Sequence, residues 1–373
     1  MIKVGITGQS GFIGSHLYNY LGIQDDIERI AFKKEFFNNE ESLQEFVKKC
    51  DVIVHLAAMN RHEDQQVIYN TNVDLVIKMI NACETGGVSP KIIFSSSTQE
   101  GKDNLYGKSK QDGRLKLEKW ATNNNGSIVT FIIPNVFGPF GKPFYNSVVS
   151  TFCYQLINDQ KPTIDVDGQL DLIYVNELSD IFYREIVSDK TLLRLYNVKQ
   201  AATKKVSELL SILKLFKEKY FESGMIPDLR DVFEISLFNT FRSFISQDYF
   251  PKEFTLHTDN RGVFVEIMKT DTSGQFSYST TKPDITRGNH YHTRKVERFA
   301  VIKGKALIQL RKVNTKEIIN YYLDGEKPSY VDMPIWYTHN IKNIGESELI
   351  TLFWINEPYN PNNPDTYFEK VEA

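Results

Sequence analysis

From Ile2 to about Tyr196 the chain alternates short, continuous apolar runs with stretches of helical periodicity. "KVGITG" is followed by Phe12, Ile13, His16, Leu17, Tyr20 and Leu21, which share one face of a helix. "DVIVHLAA", "KIIFSSS" and "SIVTFIIPN" are apolar throughout, and helical segments separate them. Strands apolar on both faces suit a sheet covered on both sides, which predicts an α/β Rossmann-like doubly wound parallel sheet. The pattern changes between Ser243 and Glu253. Beyond it, "FSYSTT", "FAVIKGKALIQL", "INYYLDG" and "ELITLFWI" read as strands punctuated by turns, an all-β barrel or sandwich. The chain therefore divides, on its pattern, into residues 1–245 and 253–373, with no internal repeat or low-complexity segment.

Length and charge narrow the function classes. At 373 residues the chain exceeds what one core usually fills, in keeping with two domains. A net charge of −3 leaves no basic footprint for nucleic acid or a membrane surface. No apolar run reaches the roughly 20 residues that span a bilayer, and the first residues already read as a strand and turn rather than a leader. Cys50, Cys83 and Cys153 are odd in number and widely spaced, so they suggest neither a disulfide framework nor a metal motif. These features fit a reducing cytoplasm.

Two stretches carry candidate chemistry. In "GITGQSGFIG", Gly8, Gly11 and Gly14 lie between a strand and the first turn of a helix. Bare backbone there lets a pyrophosphate approach the helix N-terminus. Ser10, Phe12 and Ile13 complete that loop, and Leu56, Ala57 and Ala58 place small or apolar residues at another strand end, where a cofactor can lie against backbone. After "FSSS", "YGKSK" sets Tyr106 and Lys110 four residues apart, on one helical face. A phenol with its ordinary pKa near ~10 is a poor acid–base group at neutral pH, and a neighbouring cation is expected to lower it. Lys33 and Lys34 follow the second strand where an acidic residue would bind a free ribose 2′-hydroxyl, so they favour NADPH over NADH.

The motifs "TGQSGFIG", "DVIVHLAA", "YGKSK", "PNVFGP" and "LDLIYVNEL", in this order, resemble the extended short-chain dehydrogenase/reductase family over roughly residues 1 to 240. The resemblance implies that Ser97 hydrogen-bonds the substrate carbonyl, Tyr106 donates a proton and Lys110 also binds the nicotinamide ribose. The usual "VYG" after the serines is missing, and only eight residues separate Ser97 from Tyr106. Ser96 and Thr98 therefore stand beside Ser97 for the serine role.

The second stretch is "RGNHYHTRKVERFAVIKG". His290 and His292 alternate by two, so on a strand both point to one face. Glu297 and His339 complete a set of three imidazoles and one carboxylate, suited to Zn, Fe, Ni or Mn. His290, His292, Glu297 and Gly304, followed by Pro334, His339 and Asn343, resemble the two motifs of the cupin superfamily. Trp336 stands where a glycine is usual, and no glycine sits at Asp284. "DNRGVFVE" and "RGNHYH" also resemble cupin-framed deoxysugar epimerases, in which the first histidine is a base. His290 thus has two roles open, ligand or base.

Hydride delivery to a ketone and proton removal beside a ketone need the same functional group, so one 4-keto sugar can serve both ends. A reductase followed by a cupin resembles the CapF-type family of capsular polysaccharide synthesis. That resemblance implies a UDP-linked N-acetylated 6-deoxy-4-keto-hexose, epimerised at C3 by a zinc cupin and reduced at C4 with NADPH. The implied product is UDP-2-acetamido-2,6-dideoxy-L-talose, an N-acetyl-L-fucosamine precursor, and the implied assembly is a homodimer. The alternative is a single-activity NADPH-dependent UDP-sugar reductase whose cupin is a dimerisation or ligand-binding module.

Overall fold

The computed structural model describes residues 1–189, 192–254, 257–259, 262–264, 275–357 and 360–372. Contacts within the chain divide it into two compact units, Met1–Thr151 with Val166–Val206, and Phe152–Asp165 with Ser207–Ala373. In the first unit, strands β1 (Ile2–Thr7), β2 (Ile27–Ile30), β3 (Val52–His55), β4 (Lys91–Ser97) and β5 (Ser127–Ile133) alternate with helices α1 (Phe12–Leu21), α2 (Glu40–Lys48), α3 (Gln65–Gly86) and α4 (Leu105–Asn123). There follow β6 (Asn135–Phe137), α5 (Val148–Ile157, which from Phe152 on belongs to the second unit), β7 (Gln169–Tyr174), α6 (Val175–Val187), β8 (Leu193–Asn197) and β9 (Ala202–Lys205).

Six strands form one parallel sheet in the order β2-β1-β3-β4-β5-β8. The expected double covering is visible strand by strand. Ile53, Ile92 and Phe94 pack with Phe46, Met79, Leu117 and Trp120, while Val52, Val54 and Ile93 face Leu17, Leu178 and Phe182. The chain leaves β1 towards β2 and returns to β3 on the other side of β1. In open parallel sheets such a reversal opens a crevice at the carboxyl ends of the strands. Here those ends are Thr7 and His55.

The second unit holds α7 (Val206–Phe216, from Ser207 on), α8 (Val232–Arg242) and antiparallel strands. These strands are β10 (Lys252–Glu253), β11 (His257–Asp259), β12 (Gly262–Phe264), β13 (Gln275–Thr281), β14 (Thr286–Tyr291), β15 (Glu297–Lys303) and β16 (Lys305–Lys312). They continue with β17 (Ile318–Asp324), β18 (Ser329–Met333), β19 (Tyr337–Asn343), β20 (Leu349–Ile355) and β21 (Tyr367–Phe368). Two five-stranded sheets, β10-β18-β15-β20-β13 and β17-β16-β19-β14-β21, share a core that includes Val301, Ile308, Leu310, Val331, Met333 and Ile341. In the stretch "DNRGVFVE", Asn260, Arg261, Val265 and Glu266 lie outside the described residues.

Alternation along β15 explains why the helices join this unit. Glu297, Phe299 and Val301 lie on one face, with Phe299 and Val301 against the β core, and Arg298 lies on the other. Arg298 meets Asp332 through two hydrogen bonds (2.7 and 3.0 Å), and Tyr220 of the helical segment donates its hydroxyl to the same carboxylate. Arg298 also donates to the Gly224 carbonyl (3.1 Å). By its contacts the second unit thus takes in Phe152–Asp165 and the helices from Ser207 on together with the β-strands; helical periodicity shows that a face packs but not which core receives it.

Candidate functional site

At the reversal point the backbone is drawn tight by its glycines. Gly8 has φ +75°, in the left-handed region that favours glycine. A Cβ at Gly14 would stand 2.1 Å from the Gly8 oxygen, and one at Gly8 would stand 2.9 Å from the Ala57 nitrogen. The Leu56 N–H donates to the Thr7 carbonyl (3.2 Å) and the Ala57 N–H to the Thr7 hydroxyl (3.3 Å). The glycine loop and the Leu56–Ala58 segment therefore form one surface, half-buried at Leu56, Ala57 and Ala58. Ser10 and Gly11 are exposed at the mouth of α1, with Phe12, Ile13 and Gly14 in its first turn. No side chain caps this helix, so its first N–H groups and positive dipole end suit an anion. Lys33 and Lys34 are exposed just past β2, where the Phe32 N–H donates to Gln9 of the glycine loop (3.1 Å).

Helix α4 carries Tyr106 and Lys110. Asn104 caps it by accepting from the Gly107 N–H (2.8 Å), and a Cβ at Gly107 would lie 2.0 Å from the Gln99 carbonyl oxygen. The short connection after Ser97 is therefore folded directly onto the start of α4, as a 3₁₀ turn over Thr98–Gly101. The serines are sorted by their hydrogen bonds. Ser95 donates to the His55 carbonyl (3.2 Å), and Ser96 donates to Glu100, whose carboxylate Arg114 grips at 3.0 Å. The Ser97 oxygen accepts from the Gln99 N–H (3.2 Å), so its own proton is free of that bond. Thr98 is exposed.

The electrostatics of the pair differ from expectation. The Lys110 ammonium donates to the Ser95 carbonyl (2.9 Å) and stands 5.9 Å from the centre of the Tyr106 ring. Burial pulls Lys110 down to about 8. Burial, with the nearby Tyr145 hydroxyl, pushes Tyr106 up to about 12 instead of lowering it. Loss of hydration outweighs a cation held at that distance. A phenol kept protonated is equipped to give a proton. Tyr145 belongs to a turn held by Arg61, which donates to the Phe144 and Tyr145 carbonyls (2.7 and 3.2 Å). Arg61, Tyr145, Ser147 and Thr151 line an open cavity of about 430 Å³.

Two residues of this site were assigned no role by the motifs, although His55 lies within "DVIVHLAA". Asn72 of α3 accepts from the Met59 N–H (2.7 Å) and donates to Ser109 (3.0 Å), tying the Leu56–Met59 segment to α4 beside Lys110. His55 is fully buried, pairs its Nδ1 with Thr7 (2.9 Å), and is pulled down to about 3 by burial and by the Lys110 charge.

In the second unit, His290 and His339 face each other across β14 and β19, and Glu297 opens β15 in the other sheet. One donor atom from each of His290, His292, Glu297 and His339 lies within 4.8 Å of the others. Glu297 Oε2 is 3.1 Å from Nε2 of both His292 and His339. His292 Nδ1 meets the Asp365 carbonyl and His339 Nδ1 the Tyr337 carbonyl (3.2 Å). A carbonyl only accepts, so each Nδ1 is the donor and each Nε2 faces the carboxylate. His339 Nε2 is buried and makes no hydrogen bond. Three imidazoles and a carboxylate converging in this way suit a cation between them. Burial raises the Glu297 carboxyl, but His292 and His339 outweigh it and hold the group far below the usual range. Burial and the two other imidazoles pull His290 down to about 4. His292 is raised, because Glu297 outweighs its burial. The donor set fits a divalent metal, and the Asp365 and Tyr337 carbonyls behind His292 and His339 are of the kind that orient ligating histidines.

The positions that depart from the cupin pattern share one property. Asp284 and Trp336 both have φ +60°. The backbone keeps the left-handed turns that a glycine would permit, and bulkier residues occupy them. The Trp336 backbone N–H donates to the His292 carbonyl (2.8 Å), and the Trp336 ring stacks on Tyr291.

Comparison with known proteins follows the same two-part division. The profile of the NAD dependent epimerase/dehydratase family matches residues 4–198, and that of the polysaccharide biosynthesis C-terminal domain matches residues 257–367. The chain is 32% identical over 370 residues to a UDP-2-acetamido-2,6-beta-L-arabino-hexul-4-ose reductase of Pseudomonas aeruginosa, covering 98% of each. It is 28% identical over 124 residues to the spore coat polysaccharide biosynthesis protein SpsL of Bacillus subtilis, covering 31% of this chain and 82% of that one. The crystal structure of the capsular polysaccharide assembling protein CapF from Staphylococcus aureus aligns over 99% of this chain and 100% of that one, with 33% identity and a TM-score of 0.62. With both halves matched, and the Pseudomonas reductase and Staphylococcus CapF spanned over 98% and 100% of their length, the chain belongs to the CapF family, an epimerase/dehydratase-type unit followed by a polysaccharide biosynthesis C-terminal unit.

Proposed function

We propose that the protein is an NADPH-dependent reductase of a UDP-linked 4-keto sugar whose C-terminal unit epimerises the same sugar at C3. The observation that carries this reading is the end-to-end relation to a reductase named for a UDP-linked hexul-4-ose, together with two separate clusters suited to ketone chemistry. The substrate is a UDP-2-acetamido-2,6-dideoxy-4-keto-hexose and the product UDP-2-acetamido-2,6-dideoxy-L-talose, for capsular polysaccharide.

NADPH supplies hydride. The first turn of α1 and Gly8, Gly11 and Gly14 receive its pyrophosphate, Lys33 or Lys34 the extra phosphate, and Leu56–Ala58 line its path. Ser97 donates a hydrogen bond to the C4 carbonyl oxygen, and Tyr106 gives that oxygen its proton as hydride arrives. Lys110, held by Ser95 O, faces the ribose and Tyr106. The cavity beside Tyr145 and Arg61 accommodates the sugar. In the second unit, His290, His292, Glu297 and His339 hold a divalent ion, of which zinc suits the donors best. That ion supplies Lewis acidity to a carbonyl. A homodimer in the cytoplasm completes the reading. Among the described residues no helix is long and apolar enough to cross a membrane.

Incubation with candidate UDP-keto-sugars and NADPH, followed at the cofactor's absorbance, tests the reading. Oxidation dependent on a 4-keto sugar is expected. Its absence with every such sugar rejects the reductase, while oxidation without proton exchange at C3 makes the β unit a non-catalytic module.

A further inference from the structure

The segment from Pro364 to Val371 supplies none of the four clustered donors, yet it holds the strand end and turn, His290 to Glu297, that carry three of them. Asp365 is only 2% exposed. Its carboxylate accepts from the backbone N–H groups of Thr293 (3.1 Å), Arg294 (2.9 Å) and Lys295 (3.0 Å), and from the Thr293 hydroxyl (2.6 Å). These three residues form the turn between His292 and Glu297. The main-chain carbonyl of Asp365 is also the acceptor for His292 Nδ1. Further along the segment, β21 pairs with β14 at His290 and Tyr291. The Glu369 and Val371 N–H groups donate to the carbonyl and side chain of Asn289 (2.9 and 3.3 Å). Asn289 has φ +62° and sits in the register shift between Gly288 and His290. A bulge of this kind re-aims the side chain that follows it.

We propose that this C-terminal strap, centred on Asp365, is a positioning element of the metal centre. One carboxylate gathers the turn that brings His292 and Glu297 together, and one carbonyl fixes which nitrogen of His292 faces the ion. The far end of the strap pins the bulge that aims His290. A chain with all four ligands and a slack strap would hold the ion weakly. This inference rests on the proposed metal centre. Outer partners of this kind typically change metal affinity by roughly 10–100-fold when altered.

The test titrates zinc, against a competing chelator, and cobalt into the metal-free full-length protein and its Asp365→Asn and Thr293→Val variants. Asp365→Asn keeps the size of the side chain but turns an NH₂ towards backbone N–H donors. Thr293→Val removes one hydrogen bond and leaves the backbone bonds in place. The expected result is zinc affinity about 10–100-fold lower in Asp365→Asn and lowered less in Thr293→Val. The cobalt absorption bands should shift in both, with far-ultraviolet circular dichroism and NADPH affinity unchanged. If the wild type binds neither ion, the metal centre itself is refuted, and this proposal with it. If the wild type binds and both variants match its affinity and cobalt spectrum, the strap proposal alone is overturned. Should Asp365→Asn fail to fold, Thr293→Val decides: weaker binding with altered bands supports the proposal, and wild-type behaviour overturns it.

Discussion

Replacing Gly14 with alanine tests the dinucleotide site with a magnitude set by the structure. The new methyl would lie 2.1 Å from the Gly8 oxygen and 2.8 Å from the Gln9 Cα, both backbone atoms of the loop itself. Reaching ordinary contact at 3.4 Å requires the loop and α1 to part by about 1.3 Å. An N–H group about 2.8 Å from a phosphate oxygen would then stand beyond hydrogen-bond reach. Losing one such charge-assisted bond costs roughly 1.5–3 kcal/mol, or about 10- to 100-fold in Kd for NADPH. Gly11→Ala is the internal control, because its Cβ would meet only the Gly8 oxygen at 3.2 Å and its φ of −74° suits any residue. The assay is NADPH titration by fluorescence or calorimetry, with thermal unfolding to exclude gross loss of fold. Wild-type affinity in folded Gly14→Ala would refute the placement of the pyrophosphate against this loop.

Three further outcomes follow from the same geometry. Tyr106→Phe removes the transferable proton and should slow reduction by about 10²- to 10⁴-fold, while proton exchange at the β unit continues; near-normal NADPH oxidation would remove Tyr106 from the mechanism. Lys33→Glu and Lys34→Glu should lower kcat/KM for NADPH relative to NADH, and equal use of the two cofactors by the wild type would reject the phosphate assignment. His55 titrates at about 3 in the folded chain against an ordinary 6.5, so the unfolded chain binds the extra proton first as pH falls. Its contribution is complete above about 6.5 and is lost on acidification, by about 1.4 kcal/mol per pH unit towards 3. Chemical unfolding between pH 7 and 5 should show this slope and a shallower one in His55→Asn; identical slopes would contradict it.

What the sequence discloses depends on whether an interaction is periodic or local. The apolar runs of β3, β4 and β5 announce a doubly covered sheet because all but one residue each of β4 and β5 are buried on one side or the other. Gly14 is legible because the backbone that crowds it, at Gly8 and Gln9, lies a few residues away, whereas the atoms that crowd Gly8 belong to Leu56 and Ala57 and only its place in the loop announces it. His290, His292 and Glu297 are legible for the same reason, and His339 joins them through strand pairing. Asp365 is not legible. It lies in "NPNNPDTY", which reads as a turn, and its partners are about 70 residues distant. Asn72 is hidden on a helix whose pattern speaks only of packing. The phenol of Tyr106 misled in another way, since four-residue spacing fixes a shared helical face but not where the lysine's ammonium turns. It turns to Ser95.

The most direct test of a single keto-sugar serving both units uses Glu297→Ala and His339→Ala in D₂O. Wild type and variants receive the UDP-4-keto sugar, deuterium at C3 is read by mass spectrometry, and NADPH oxidation is followed in parallel. An incomplete ligand set rarely retains a labile divalent ion. The variants should therefore lose the metal, take up deuterium far more slowly and fail to reduce the unepimerised sugar, yet reduce a sugar epimerised beforehand at the wild-type rate. Deuterium uptake at the wild-type rate in a variant shown to be metal-free would contradict the account.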